Sequence, residues 1–290
     1  MAKGYSLHLG LNSVDPQHYA GWSGPLNACE NDAVTMAALC ESEKIKPTKL
    51  LTKAATRGAV LDQIAAAASN LKSGDLFVLS YSGHGGQVAD VNGDEPDLAD
   101  ETWCLFDGEL IDDELYAALG AFKAGCRVLV LSDSCHSGTV TRAPDTASRV
   151  RSPGEPASRM MPPEIASLTY FANKAFYDGL QDKLRQRGVE VAEPTEPLMG
   201  VTRRAARVRN GLAAGVILIS GCQDNQESLD GPFNGAFTGR LMRVWNHGAF
   251  KGNHVAFQKQ ILAGMPASQS PNLFTLGKVS GFLSKRPFTI

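Results

Sequence analysis

Val128–Leu129–Val130–Leu131–Ser132–Asp133–Ser134–Cys135–His136–Ser137–Gly138 is an aliphatic run that stops in a small polar turn carrying one thiol. Four consecutive aliphatic residues cannot belong to a half-exposed strand, so the run predicts a strand buried on both faces, ended by the Asp-Ser-Cys-His-Ser-Gly breaker. A strand of that kind belongs to a parallel sheet covered by helices on both sides. Cys135 then falls just beyond the carboxyl end of the strand, the edge where the loops of an open α/β sheet form a crevice on a rigid base. A lone cysteine is otherwise a small core hydrophobe, so the thiol needs a partner before it can be read as a nucleophile.

Working outward, the same pattern recurs. Asp75–Tyr81 and Gly215–Gly221 are further apolar strands, and Tyr5–Leu11, Lys49–Leu51 and Asn272–Leu276 complete about six. Between them lie helical spacings. One helix runs from Cys29 to about Glu43 with Ala33, Met36, Ala37 and Cys40 on one face, and another follows a Thr56 cap through Val60, Ile64, Ala68 and Leu71. Others are predicted from Asp112-Asp113-Glu114 onward, over Ile165–Arg187 with a Leu168, Phe171, Ala172, Ala175 and Phe176 stripe, and over Phe237–Trp245 and His254–Leu262. Glu109–Ile111 reads as a short hairpin arm. Strands alternating with helices predict an α/β fold of mostly parallel strands flanked on both faces. The chain reads as a single domain over residues 1–290. Thr139–Glu164, rich in Pro, Ser, Gly and Arg, is expected to be an exposed, flexible insertion at about 139–164. Asp90–Glu101 is expected to be an acidic, solvated loop.

Composition narrows the function. With 290 residues and a 43% hydrophobic fraction, a sizeable core is assured. A net charge of −2 gives no overall field toward nucleic acid or an anionic membrane. Six cysteines without C-x-x-C spacing suit neither a disulfide scaffold nor a zinc site. Met1–Tyr5 holds one lysine and the apolar stretch after it is interrupted by His8 and Asn12, so no signal peptide is expected. A cytoplasmic, monomeric protein with no membrane or nucleic-acid partner is the default. No strand runs into G-x-G-x-x-G or a Walker lysine loop, which argues against a nucleotide-binding protein.

The partner for Cys135 is His84. The Asp75–Tyr81 strand runs directly into Ser82-Gly83-His84-Gly85-Gly86-Gln87, which places a histidine between glycines at a second strand end. Both residues then face one crevice, where the imidazole takes the thiol proton and activates the nucleophile. An unhindered N–H of Gly85, with the N–H of Cys135, would hold an acyl-transfer oxyanion. His136 follows the thiol directly in a turn and points away, so it is not the base. The two motifs, Tyr81-Ser82-Gly83-His84-Gly85 and Asp133-Ser134-Cys135-His136-Ser137-Gly138, resemble the histidine and cysteine motifs of metacaspases, the caspase-like cysteine peptidases of bacteria, protists, fungi and plants. The histidine stands about 50 residues ahead of the cysteine, as in caspases, although the caspase Gln-Ala-Cys signature is absent.

The resemblance implies a caspase-like sandwich and hydrolysis of peptide bonds after Arg or Lys by a Cys-His dyad. Carried across by position, it places Asp133, Asp32, Cys29 and Ser82 in the pocket for the basic side chain, with Asp224 as a further candidate. The chemistry agrees, since a guanidinium or ammonium needs carboxylates and neither motif offers an arginine for an acidic substrate. Many relatives are activated by Ca2+ bound to aspartates matching Asp100, Asp112 and Asp113. The further aspartate they carry after the nucleophile is replaced here by Thr139–Arg142, and no cofactor is required for the chemistry itself. Substrates would be proteins or peptides with Arg or Lys at the cleavage position. Arg142, Arg149, Arg151 and Arg159 in the insertion are expected sites of self-cleavage. The alternative is a catalytically silent caspase-like scaffold, and the intact dyad argues against it.

Overall fold

The computed structural model describes residues 2–89, 99–134, 157–186, 212–221, 228–266 and 269–290. In chain order the strands are β1 (Gly4–Gly10), β2 (Lys46–Leu51), β3 (Leu76–Ser82), β4 (Gly85–Ala89), β5 (Ala99–Leu105), β6 (Gly108–Ile111), β7 (Arg127–Asp133), β8 (Gly215–Ser220) and β9 (Asn272–Leu276). The helices that position the site are α1 (Cys29–Ser42), α2 (Arg57–Asn70), α3 (Asp112–Leu119), α4 (Pro163–Ala172), α5 (Lys174–Gln186), α6 (Ala236–Trp245) and α7 (His254–Leu262).

The opening stretch lies at the centre of the molecule. Its strand, β7, is an interior member of a six-stranded sheet ordered β2-β1-β3-β7-β8-β9. All neighbours pair parallel except β8 with β9, which is antiparallel. Successive side chains of a strand point to opposite faces, and here both faces are dry. Val128 and Val130 enter a core built with Phe77, Leu79, Val60 and Ile64 of the α2 side. Leu129 and Leu131 enter a second core with Met36, Leu39, Phe237, Leu241 and Trp245 of α1 and α6. That two-sided burial is why the run carries no polar alternation.

The β3–β7 register sets Ser82 opposite Asp133, and Gly10 of β1 pairs with Ser82 on its other side. The strand ends therefore finish level, and the sheet delivers β1, β3 and β7 to one rim. His84 and Cys135 each follow two residues after a member of the Ser82–Asp133 pair.

Four expectations need correction. Glycines and an acidic run concealed a second, antiparallel sheet, β4-β5-β6. Its β5 strand takes in Asp100 and Glu101, which are buried instead of lying in a solvated loop. The helix expected over Ile165–Arg187 is two helices broken at Asn173, whose backbone N–H reaches back to Thr169 and Tyr170. Its expected stripe faces outward, with Leu168 56% and Phe171 71% exposed, and Ala166, Thr169, Tyr170 and Tyr177 fill the inner face instead. The insertion is not exposed along its whole length. Residues 139–156 lie outside the described residues, but Arg159 and Met161 are buried and α4 begins at Pro163. No helix among the described residues is long and apolar enough to cross a membrane.

Candidate active site

Two turns bring His84 to the rim. Tyr81, at the end of β3, stacks flat on Trp103 of β5 at 4.5 Å and 9°, and its phenol donates to the carbonyls of His84 (2.6 Å) and Cys104 (3.2 Å). Gly83 has to be a glycine, because a Cβ there would lie 2.6 Å from the Tyr81 hydroxyl. Trp103 in turn donates to Ser132 Oγ, which bonds Ser134 Oγ. One aromatic pair thus supports both the histidine turn and the residues leading into Cys135. Cys135 itself lies outside the described residues.

The imidazole is oriented. Its Nε2 lies 3.0 Å from the Gly24 carbonyl, which can only accept, so the proton sits on Nε2 and the Nδ1 lone pair is the basic site. Nδ1 is buried and makes no hydrogen bond among the described residues. Gly24 has φ +51°, and a Cβ there would lie 2.9 Å from the ring, so only glycine lets the carbonyl approach. Burial lowers His84 from 6.5 to about 4, with the charge of Arg159 pushing the same way and the backbones of Gly24 and Met160 opposing. At neutral pH the ring is an uncharged base.

Beside the histidine lies a pocket walled by carboxylates, and a guanidinium fills it. Arg159 is 0% exposed. Its Nη1 contacts Asp133 Oδ2 at 2.9 Å and Ser82 Oγ at 2.9 Å, and its Nη2 contacts Asp32 Oδ2 at 2.8 Å and Asp230 Oδ1 at 3.0 Å. The carboxylates are themselves anchored. Asp32 accepts from Ser82 Oγ, Asn234 Nδ2 and Gly235 N–H, Asp133 from Ser228 Oγ and from Thr238 N–H and Oγ1, and Asp230 from the Asn27 and Ala28 N–H groups. Burial works against the charge of Arg159, but the surrounding carboxylates, Asp133 foremost, hold it firmly protonated. Burial raises Asp32, and Arg159 opposes that shift. Cys29 lies against the same pocket, its thiol pushed up to about 12 by burial, so it is an inert wall.

The structure brings Asp32, Asp133, Ser82, Cys29, His84 and Gly85 together around Arg159. Asp224 lies outside the described residues. The third carboxylate is Asp230, which the sequence reading missed; the only signal for it was an acid in the Gly-Pro turn shortly after β8. Asp100, Asp112 and Asp113 are buried on β5 and α3, with Gln181 Nε2 donating to Asp100. Among the described residues no group of three or more His, Cys, Asp or Glu side chains is placed to hold a metal ion.

Residues 14–267 match the caspase domain family. The chain belongs to that family. This caspase domain is similar to metacaspases: it is 31% identical over 254 residues to Metacaspase-1 of Schizosaccharomyces pombe, covering 81% of this chain and 57% of that protein. Against Metacaspase-1 of Kluyveromyces lactis it is 30% identical over 256 residues, covering 81% and 56%. The caspase domain therefore spans a little over half the length of the curated relatives it matches. A crystal structure of a Geobacter sulfurreducens protein superposes with a TM-score of 0.85 at 52% identity, covering 99% of both chains.

Proposed function

We propose that this caspase domain is a cysteine endopeptidase that cleaves after arginine, with Cys135 as nucleophile and His84 as general base and acid. The observation that carries the specificity is the guanidinium seated among Asp32, Asp133 and Asp230. Family membership supports the chemistry. His84 Nδ1 takes the Cys135 proton, the thiolate attacks the carbonyl carbon of the residue in the pocket, and the Gly85 N–H holds the developing oxyanion. The imidazolium then protonates the leaving amine, and water releases the acyl group with His84 again as base.

The pocket prefers Arg to Lys. It addresses the two terminal nitrogens separately, from carboxylates on different elements, and Gly235 leaves room for a planar fork. A lysine ammonium is a single point charge and leaves part of that set unpaired. Self-cleavage at an arginine of the insertion belongs to the same reading. A panel of fluorogenic peptides with Arg, Lys and Asp at the cleavage position, assayed with and without Ca2+ on wild type and Cys135→Ala, tests it. Arg should exceed Lys by about tenfold or more, Asp should be inert, and Cys135→Ala should be silent. Preference for Asp, or activity that survives in Cys135→Ala, would overturn the proposal.

A further inference from the structure

Trp22, in the loop between β1 and α1, touches His84 and has no part in the chemistry described above. Its indole lies against the imidazole, with ring centres 4.6 Å apart and planes 57° open. Gly24 sits at the same contact: a Cβ there would lie 2.7 and 2.8 Å from Trp22 Cη2 and Cζ2, and 2.9 Å from His84 Cδ2. The residue whose carbonyl lies 3.0 Å from Nε2 is thus wedged between the two rings. The loop is built to hold this arrangement. Ala20 and Gly21 are left-handed, at φ +51° and +89°, a conformation that costs a non-glycine residue free energy and persists only where its surroundings fix it. They turn the chain back so that the Trp22 N–H donates to the Tyr19 carbonyl at 2.9 Å. The Gly21 N–H donates to the Pro16 carbonyl at 2.8 Å, and the Val14 N–H to the Ser23 carbonyl at 2.9 Å. Tyr19 backs the indole edge-on at 6.3 Å and is itself fixed by its hydroxyl, which donates to the Leu105 carbonyl at 2.7 Å. Trp22 is half-buried while His84 is 5% exposed, so on that side solvent meets the indole and not the imidazole.

Resting on the assignment of His84 as the base, we infer that Trp22 is its positioning residue: the indole holds the imidazole edge on the Gly24 carbonyl, keeps water off the ring and leaves Nδ1 as the free lone pair. Two opposing effects decide the direction of its influence. An aromatic face attracts a cation, which favours the imidazolium, whereas shielding from water disfavours it. At His84 burial is the largest cause and the net shift is downward, to about 4. The charges that face the ring lie on other elements. Arg159 opposes a second cation and Asp230 favours one, as do the backbones of Gly24 and Met160, and all of these remain when the indole is removed. Loss of Trp22 therefore makes His84 easier to protonate and frees the ring to exchange tautomers. A tryptophan that only filled space beside Val14, Tyr19 and Met161 could be exchanged for another apolar side chain with no effect on the imidazole.

The test follows the His84 imidazole directly, by proton–nitrogen NMR of the full-length Cys135→Ala protein, alone and combined with Trp22→Leu or Trp22→Phe. In the parent the ring should be the Nε2–H tautomer. Trp22→Leu should raise its titration midpoint by about one pH unit and mix the tautomers, and Trp22→Phe, which keeps a ring on the imidazole, should restore both most of the way. His8, held between Ser6 and Ser80 in the sheet, should give unmoved resonances in every variant and so report the intact fold. An unmoved His84 midpoint and tautomer in Trp22→Leu, or equal changes in the Leu and Phe variants, would overturn the inference. In protein that retains Cys135, the acid limb of the kcat/KM profile for an arginyl peptide should move up with the midpoint in Trp22→Leu; a limb that stays in place overturns it as well. A moved midpoint in a protein whose wild type hydrolyses no arginyl peptide sinks the catalytic reading and leaves the clamp on His84 standing. An unmoved midpoint beside normal wild-type hydrolysis sinks the clamp alone.

Discussion

An alanine at position 235 would set its Cβ 2.5 Å from both terminal nitrogens of Arg159. The backbone there is ordinary (φ −59°), and the Gly235 N–H that binds Asp32 survives the change, so the fold is spared and the clash falls on whatever occupies the pocket. Gly235→Ala should therefore raise KM for an arginyl peptide by about 10-fold or more with kcat within about threefold, the size of effect one misplaced methyl produces in a binding pocket. An unchanged KM in steady-state assays would show that arginine does not bind there. Position 235 also marks where residue-level reading of the sequence stops. Asp32, Asp133 and Ser82 were placed in a pocket only by the resemblance to metacaspases carried across by position; read alone, Asp32 is a first-turn helix carboxylate and Asp133 a strand breaker. Asp230 and Gly235 were not so placed, because Asp-Gly-Pro-Phe-Asn-Gly reads as a turn, and its role comes from packing against α1 across the rim. Arg159 was read as exposed for a related reason: an arginine among Pro, Ser and Gly has no local signal that carboxylates far along the chain await it.

Among the elements, α1 shows how the pocket and the scaffold share their supports. Its N-cap is Ala28, which has no capping side chain. The orphan donors are satisfied from elsewhere: Asn12 Oδ1 accepts from the Cys29 and Glu30 N–H groups at 3.0 and 3.2 Å, and Asp230 accepts from Asn27 and Ala28. Asn12 is thus a cap in all but sequence position, and Asn12→Ala should cost about 1 kcal/mol, read as a lower urea midpoint of the Cys135→Ala protein at unchanged slope. An unshifted midpoint would assign the capping to other groups. Elements with continuous aliphatic runs, such as β3, β7 and β8, were legible almost to the residue, because two-sided burial permits no polar interruption. The β4-β5-β6 sheet was not, since Gly85-Gly86 and the acids before Trp103 mimic a loop and the pairing that buries them is tertiary. The break at Asn173 was hidden because helical periodicity continues across it.

At the scale of the whole molecule, burial leaves several groups titrating far from their ordinary values. It lowers His8, held between Ser6 and Ser80, to about 3 and His84 and His254 to about 4, and raises Glu109, bonded by Thr102, to about 8. A histidine with a lowered folded pKa binds fewer protons folded than unfolded up to pH 6.5, so it makes stability rise with pH across that window. A raised carboxyl acts in the opposite sense between 4.5 and 8. From pH 4.5 to 6.5 these lowered histidines outweigh Glu109 and stability climbs; from 6.5 to 8 the raised Glu109 carboxyl lowers stability, by about 2 kcal/mol. Urea midpoints of the Cys135→Ala protein should peak near pH 6.5, and Glu109→Gln should flatten the decline toward pH 8. A parent protein that is no less stable at pH 8 than at 6.5 would contradict this.

The position of β8 has one more consequence. It follows the insertion at about 139–164 in the chain, yet it pairs along its whole length with β7, which precedes the insertion, from Arg127–Gly215 to Ser132–Ser220. Self-cleavage at an arginine of the insertion would turn one polypeptide into two without dividing the folded body. The pieces would travel together as a single particle, sharing one sheet across the nick, and would part only when that sheet is unfolded.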